Sequence, residues 1–286
     1  MTDENTNNTT IKDEPIQDEA QQKLIDQLKK LHIHFCTPCY GGMIMEPCFG
    51  SYMRFAMLAM KYGINFSLDT MVNESLITRG RNNLVSKFLA NDKATHLMWV
   101  DADIKWDPEA VLRMALYNVG VVCGLYPMKG LPIRYVLNAL PGGKRVGPLI
   151  EVSTSGTGFM LIRRDVIEKL VELMPETKYK DSLNLGAQYE PFMYALFDTM
   201  IDTNGHYLSE DWTFCKRVRE KLEMPIWVDT EIKLDHTGTY NFQGDVDMIK
   251  KLAEEWMANI KDNKEQIKAY EKIEAELNNN DNNRAS

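Results

Sequence analysis

The first 125 residues alternate short apolar runs with segments of helical periodicity, and this alternation limits the possible folds more than any other feature. Strands are predicted over residues 32–37, 64–70, 96–100 and 119–125, and helices over residues 51–62, 77–91 and 108–117. Strands that alternate with helices of this length favour a parallel sheet covered by helices on both faces. We therefore predict a Rossmann-like α/β fold.

Beyond Pro127 the alternation weakens, and the pattern predicts a mixed extension of the same sheet. Short strands are predicted near residues 132–137, 149–154, 157–163, 226–229 and 231–236, and helices over residues 165–173 and 209–222. Residues 246–277 have apolar positions at helical spacing, which predicts a long amphipathic helix that could serve as a dimer contact. The polar ends, residues 1–20 and 278–286, are predicted to be disordered tails, the first of them acidic.

Composition and charge exclude several classes of protein. The 286 residues carry a formal net charge of −8, and 44% of them are hydrophobic. No apolar run approaches the roughly 18 residues that cross a bilayer, and the N-terminus lacks the apolar core of an export signal. We expect a cytoplasmic protein, or one in the host cytoplasm if its source is a virus. Most of the acidic excess lies in the first tail, so the folded part is nearly neutral and unsuited to general nucleic-acid binding.

The five cysteines, at positions 36, 39, 48, 123 and 215, are predicted to be reduced thiols. Cys36 and Cys39 form a Cys-x-x-Cys motif, which lowers a thiol pKa when it opens a helix. Here Tyr40 and two glycines follow, which predicts a loop. A zinc site would need two further ligands, and only Cys48 is close in sequence. Buried or loop cysteines are therefore favoured over a redox or zinc site.

Two aspartates, Asp101 and Asp103, directly follow the apolar run His96–Val100. An Asp-x-Asp pair arises by chance about once in a chain of this composition. Asp245 and Asp247 form such a pair without a preceding strand, and a helix cap explains them. Asp101 and Asp103 differ because a buried strand would deliver their carboxylates to the rim of a sheet. A divalent cation held there could bind a nucleotide diphosphate.

Further polar groups are predicted at the same edge of the sheet. In an open α/β sheet, ligands bind beyond the carboxyl ends of the strands. Residues Thr37–Tyr40, Asp69 and Tyr126–Lys129 also follow predicted strands. Arg79 and Arg81 lie near the start of the helix predicted from residue 77, where they either clamp a phosphate or form a solvated first turn.

Two later motifs have a chemical and a structural interpretation. His236 follows a short predicted strand, and it either completes an oxygen and nitrogen site for Mn²⁺ or Mg²⁺ or is a structural residue. Glu210 and Asp211 open the helix predicted over residues 209–222. They either complement the helix dipole or supply a general base for an acceptor hydroxyl.

The order of these motifs resembles that of glycosyltransferases of the GT-A fold, closest to the family-2-like group that includes transferases of phages and large viruses. The resemblance covers residues 32–240 and is carried by Thr37-Pro-x-Tyr40, the Arg/Asn helix, Asp101-x-Asp103, Gly156-Thr-Gly158, Ser209-Glu-Asp-Trp212 and Asp235-His236. It implies a mixed, mainly parallel central sheet in a single catalytic domain. That domain would span residues 21–245, with a nucleotide-binding half over residues 32–130 and an acceptor-side half over residues 131–245.

The resemblance also implies roles for individual residues. Asp101 would face the ribose or the metal, while Asp103 and His236 would bind the Mn²⁺ (or Mg²⁺) that bridges the diphosphate. UDP is the expected nucleotide, and the pocket for it would include Thr37, Pro38, Tyr40, Asp69, Arg79, Arg81 and Asn82. Asp69 departs from the family pattern because no acidic cluster follows it, so the contacts to the base stay open. Asp211 matches the base of inverting members, with Glu210 beside it.

The predicted activity is the metal-dependent transfer of a hexosyl or pentosyl group from a nucleotide sugar to an acceptor hydroxyl, with inversion. A sugar-phosphate nucleotidyltransferase of the same fold is less favoured because Gly41 and Gly42 have no basic partner before Arg54. A non-catalytic nucleotide- or carbohydrate-binding module would not need both the acidic residues and His236. The acceptor stays open between a glycan, a glycoprotein and a hydroxymethylated DNA base, and the oligomeric state is not predicted.

Overall fold

The computed structural model describes residues 15–238, 240–245 and 247. In these residues the helices are α1 (Pro15–Leu28), α2 (Glu46–Tyr62), α3 (Ile77–Ala90), α4 (Pro108–Leu116), α5 (Arg164–Leu173) and α6 (Glu210–Lys221). The strands are β1 (His32–Cys39), β2 (Asn65–Val72), β3 (His96–Val100), β4 (Ile104–Lys105), β5 (Val121–Gly124), β6 (Leu137–Ala139), β7 (Arg145–Val146), β8 (Leu149–Ser155), β9 (Phe159–Arg163), β10 (Met200–Ile201), β11 (Tyr207–Leu208), β12 (Ile226–Asp229), β13 (Asp235–His236) and β14 (Phe242–Gln243). All of them lie in a compact unit that ends at Gly244.

The central sheet is mixed, with strand order β2-β1-β3-β9-β5-β12-β8-β6, and β7 pairs with β8. Strands β8 and β9 run against the direction of the others, and the pairs β1–β2, β1–β3 and β5–β12 are parallel. The predicted mixed sheet, in which most strands share one direction, is confirmed. Its parallel strands bring their carboxyl ends to a common edge, which positions the site.

Helices cover both faces of this sheet, as predicted. Side chains of β3 alternate between the faces, because successive residues of a strand point in opposite directions. Met98 and Val100 join the core cluster with residues of α2 and α4. Trp99 lies on the other face, where its ring packs edge-on against Phe197 at 5.2 Å, and Phe197 stacks on Phe214 of α6.

Several boundaries differ from the sequence prediction, among them the strand predicted near residues 132–137, which is observed at Leu137–Ala139. Helix α1 begins at Pro15, inside the stretch predicted to be a disordered tail. Helix α2 begins at Glu46, and Pro47 lies in its first turn. First-turn N–H groups have no partner within a helix, so the N–H that proline lacks costs no hydrogen bond there. Of the strand predicted over residues 231–236, only Asp235 and His236 pair. The predicted C-terminal helix and the tail over residues 278–286 lie outside the described residues.

The Cys-x-x-Cys motif belongs to the buried strand β1, and a single 3₁₀ turn over Tyr40–Gly42 follows it instead of an α-helix. All five cysteines are free and buried. Burial raises the pKa of Cys39 to about 11 and raises the pKa of Cys36 as well. Raised pKa values keep both thiols protonated and weakly nucleophilic at neutral pH, so a structural role is favoured. Within the described part of the chain, no helix is long and apolar enough to cross a membrane.

Candidate functional site

A cleft of about 470 Å³ opens at the carboxyl ends of the parallel strands β1 and β3. Short loops that leave the strands there supply most of its walls. Its lining includes Pro38, Tyr40, Arg81, Asp101 and Asp103. The structure thus brings together five of the predicted site residues at one edge of the sheet, as expected for an open α/β fold.

Arg81 connects the end of β3 to the first turn of α6. Its Nη2 donates to Asp101 Oδ1 at 2.9 Å, and its Nε donates to Glu210 Oε1 at 3.2 Å. The guanidinium also lies over the ring of Trp99, 5.1 Å from the centroid. Burial opposes the charged form of Arg81, but the two carboxylates outweigh burial and raise its pKa. Arg81 is therefore a permanent buried cation that fixes both acidic groups.

Asp103 lines the cleft, and His236 contacts it from strand β13. Strand β13 pairs with β4, and the Thr237 N–H donates to the Asp103 carbonyl at 2.8 Å. This pairing places His236 Nε2 at 3.4 Å from Asp103 Oδ1. Lys129 Nζ forms an ion pair with the other carboxylate oxygen. Burial opposes ionisation of Asp103, but His236 and Lys129 outweigh it, so the pKa of this carboxyl is lowered.

The contacts of His236 leave its Nε2 facing Asp103, in a position that could bind a cation. Its Nδ1 lies 2.9 Å from the Pro127 carbonyl, which can only accept, so Nδ1 carries the proton. In the neutral imidazole, Nε2 then turns its lone pair toward the Asp103 carboxylate. Two electron-pair donors face each other without a proton between them, which is stable when the ring is protonated or when a cation lies between them. A histidine that donates its second N–H to a backbone carbonyl is also the usual arrangement of metal ligands.

The chain offers two donors there. Among the described residues, no group of three or more His, Cys, Asp or Glu side chains is arranged to hold a metal ion. Asp101 is held by Arg81, while Asp103 and His236 are paired. Mg²⁺ and similar ions often use one or two carboxylates and complete their shell with substrate phosphates and water. The donor set therefore fits a cation that arrives with a diphosphate.

Tyr126 supports the site from behind, and Gly156 and Gly158 make room for it. The ring of Tyr126 contacts His236 edge-on at 5.5 Å, and its hydroxyl accepts from the Gly158 N–H at 3.1 Å. A Cβ at Gly156 would lie 2.1 Å from the Tyr126 hydroxyl oxygen, and one at Gly158 would lie 2.6 Å from its ring. The Gly158 carbonyl in turn accepts from the Asp101 N–H. Both glycines are thus needed for close packing behind the two aspartates.

We expect Gly156→Ala to destabilise the protein by about 1–3 kcal/mol, because the new methyl group overlaps the Tyr126 hydroxyl. Tyr126→Phe removes that hydroxyl and should recover part of the lost stability. The recovery should be incomplete because the new methyl group also overlaps Val136. Urea unfolding of the two single variants and the double variant measures the coupling. Strict additivity of the two changes would show that Gly156 is not required for Tyr126.

Asp211 lies in the first turn of α6, next to Glu210. Its Oδ1 accepts from the Ser209 hydroxyl and from the Trp212 N–H. Burial raises the pKa of Asp211, the Ser209 hydrogen bond partly opposes this, and the charge of Glu210 raises it further. A carboxylate with a raised pKa is a stronger base than an exposed one, which suits proton abstraction.

Four residues predicted for the nucleotide pocket have other partners. Thr37 is buried and bonds to the Tyr52 hydroxyl. Asn82 is buried, and its amide bonds to the backbone N–H and carbonyl of Phe197 at 2.8 and 2.9 Å. These two side chains fasten neighbouring elements to the sheet and do not line the cleft.

Asp69 and Arg79 are also engaged outside the cleft lining. Asp69 pairs with Lys87 at 3.0 Å and with the buried His34 at 3.2 Å, and hydrogen bonding from His34 lowers the pKa of Asp69 to about 2. Arg79 makes a two-pronged bond with Glu74. Glu74, and not Arg79, borders the cleft.

Lys129 and Tyr126 belong to the site although no role was predicted for them. Their position after strand β5 indicates that they lie near the cleft, because the carboxyl ends of parallel strands meet at one edge of the sheet. The stem of Lys129 passes Gly238, where a Cβ would lie 3.2 Å from Lys129 Cδ. Gly238, two residues after His236, therefore leaves room for the lysine that reaches Asp103.

No protein-family model matches the chain, and no curated protein matches its sequence. Solved structures that resemble it include A197 from STIV, with 17% identity over 75% of this chain and 95% of that chain and a TM-score of 0.45. A glycosyltransferase involved in glycosylation of the major capsid of PBCV-1 has 12% identity over 55% and 71%, with a TM-score of 0.30. The 4-diphosphocytidyl-2C-methyl-D-erythritol synthase from Anaerococcus prevotii has 10% identity over 59% and 84%, with a TM-score of 0.32. Every one of these TM-scores is below 0.5, so the proposal below depends on the site geometry.

Proposed function

We propose that the chain is a glycosyltransferase that takes a sugar from a nucleotide-sugar donor and passes it to an acceptor hydroxyl. The observation that carries the proposal is the pairing of His236 Nε2 with Asp103 at 3.4 Å, with the proton fixed on Nδ1. A cation bound between these two side chains would lie at the carboxyl edge of a parallel sheet, where nucleotides bind. The buried Arg81 and the partly buried Asp211 next to it supply the charge and the base that transfer requires.

In this proposal the donor binds in the cleft at the carboxyl ends of β1 and β3, which we call the first cleft. The Tyr40 ring is 74% exposed at its rim and would stack on the nucleobase, with UDP as the expected nucleotide. Asp101 keeps one carboxylate oxygen on Arg81 and would accept from the ribose with the other. Asp103 and His236 would hold Mn²⁺ or Mg²⁺ against the diphosphate. Lys129, which pairs with Asp103, would then leave that carboxylate and bind the phosphates.

In the proposed transfer, Arg81 and Asp211 would have separate roles. A bound divalent cation supplies positive charge against the departing diphosphate. Arg81 holds Asp101 and Glu210 in place and adds a fixed positive field that needs no rearrangement during reaction. Asp211 would remove the proton from the acceptor hydroxyl as that oxygen attacks the sugar from the face opposite the diphosphate. Attack from that face inverts the anomeric carbon.

Calorimetric titration of the full chain with UDP tests the donor site. We expect the affinity for UDP to fall about tenfold or more when Mn²⁺ is replaced by EDTA, because cation and diphosphate share one shell. Asp103→Ala should remove most of this dependence. Asp107→Ala is the matched control, since Asp107 lies outside the cleft at the start of α4 and should leave the dependence intact. UDP binding that ignores the cation would contradict the assignment of Asp103 and His236.

A screen of nucleotide sugars for Mn²⁺-stimulated hydrolysis then identifies the donor. The same protein incubated with sugar 1-phosphates and nucleoside triphosphates tests the alternative nucleotidyltransferase activity. Formation of a nucleotide sugar and pyrophosphate in that reaction, without hydrolysis in the first, would replace the proposed function by the alternative one.

A further inference from the structure

A second cleft, of about 630 Å³, lies between the β10–β11 hairpin, the strand β8 and helix α6. Its walls include Tyr207 from the hairpin and Trp212 from the first turn of α6, with Asn138 and Thr154 from the sheet. The roles proposed for the first cleft use none of these four side chains.

The two aromatic rings of the second cleft are open to solvent. Tyr207 is 70% exposed and Trp212 is 36% exposed. Apolar ring surface exposed to water is unfavourable, and a ligand with an apolar face would cover it. A pyranose has such a face, formed by its C–H groups, and carries its hydroxyls around the edge.

Polar side chains beside the rings suit the hydroxyls of a sugar. Asn138 Nδ2 donates to Thr154 Oγ1 at 2.7 Å, and Arg219 approaches Ser153 Oγ at 3.5 Å. Amide and hydroxyl groups can both donate and accept, and so can each hydroxyl of a sugar. Aromatic surface with a few directed polar groups is the usual composition of a small-molecule site.

The charges of the cleft argue for a neutral ligand. The carboxylates of Asp202 and Glu220 balance the cations Lys216 and Arg219 along the walls. Lys216 pairs with Glu220 within helix α6. A nucleic acid would need an excess of basic groups along its backbone, and this cleft does not provide one.

Helix α6 connects the second cleft to the first. Glu210 bonds to Arg81, which lines the first cleft, while Trp212 lines the second. Residues two apart on a helix point roughly 200° from each other, so the two side chains face different clefts. Asp211 lies between them in sequence, on the same turn. An acceptor bound against Trp212 would therefore lie one helical position from the proposed base.

We infer that the second cleft binds the acceptor, and that the acceptor is a neutral saccharide. The assignment of this ligand as the acceptor rests on the proposed sugar transfer. The binding of a saccharide there is a separate property that can be measured without donor or cation. The inference selects a glycan from the candidate acceptors and excludes a hydroxymethylated base in DNA.

An array of neutral and acidic glycans, probed with the full chain in EDTA without nucleotide, tests the inference. We expect retention on neutral glycans, followed by calorimetry with the best tetrasaccharide. Trp212→Ala and Tyr207→Ala should each weaken that Kd about 5- to 10-fold, as loss of one stacking contact implies. Trp212→Phe and Tyr207→Phe keep a ring and should bind within about twofold of the wild type. Phe49→Ala, which removes an exposed ring from α2, should leave the Kd unchanged.

The outcomes separate this inference from the proposed function. Binding of UDP with Mn²⁺ but of no glycan would overturn the saccharide site and leave the donor site standing. Glycan binding that survives both alanine variants would place the saccharide elsewhere and overturn the inference. Glycan binding without any nucleotide binding would support the saccharide site and contradict the transferase. Retention of a duplex containing 5-hydroxymethylcytosine in place of glycans would also overturn the inference.

Discussion

Asp211→Asn is expected to lower the kcat of sugar transfer by about 10³-fold and to leave the affinity for UDP unchanged. Asparagine keeps the shape of the side chain and an oxygen that can accept the Ser209 and Trp212 hydrogen bonds. It cannot take the proton of the acceptor hydroxyl. Initial rates at saturating donor measure the first effect, and calorimetry with UDP and Mn²⁺ measures the second.

The pH dependence of kcat identifies the base. The base must be ionised, so kcat should rise with pH through the pKa of Asp211, which burial raises. Ser209→Ala removes a hydrogen bond that lowers this pKa, so the rise should move to higher pH. Asp211→Asn should remove the rise. If Glu210→Gln abolishes the rise and Asp211→Asn retains it, then Glu210 is the base.

The sequence predicted the parallel part of the fold because its signals are local. Strand β3 was predicted at its observed bounds, and helix α4 begins at the predicted Pro108. The insertion of β9 between β3 and β5 was not predicted. Its paired residues lie 37 to 67 positions away in sequence. Pairing at that range depends on tertiary packing that no local pattern records.

The placement of the candidate residues at one sheet edge could be predicted where it follows from strand ends, and less well where it depends on helix rotation. Asp101 and Asp103 leave β3 at the predicted edge, and β13 brings His236 to Asp103. Within α3, Arg79, Arg81 and Asn82 are all polar, yet Arg81 alone of these three lines the cleft. Successive helical residues differ by about 100°, so one of three near neighbours faces a given side. The sequence does not fix that rotation, since all three side chains are polar.

Arg81→Met is expected to destabilise the protein by about 3–5 kcal/mol, because it leaves Asp101 and Glu210 without their shared buried cation. Arg81→Lys should recover little, since one ammonium group cannot reach both carboxylates in the planar geometry of a guanidinium. Glu210→Gln in the Arg81→Met background should restore part of the stability by removing one of the two unpaired charges. Urea unfolding of these variants gives the free energies.

Arg79→Met is the matched control for Arg81, because it removes the same group two residues earlier on α3. Arg79 pairs with Glu74 near the surface, where water screens the charges, so its loss should change stability far less. Arg81→Met should also weaken UDP binding, whereas Arg79→Met should leave it unchanged, because of these two arginines Arg81 is the one that bonds to Asp101. Equal effects of the two substitutions on both measurements would mean that Arg81 does not join strand β3 to helix α6. The base and the donor site would then be positioned independently of each other.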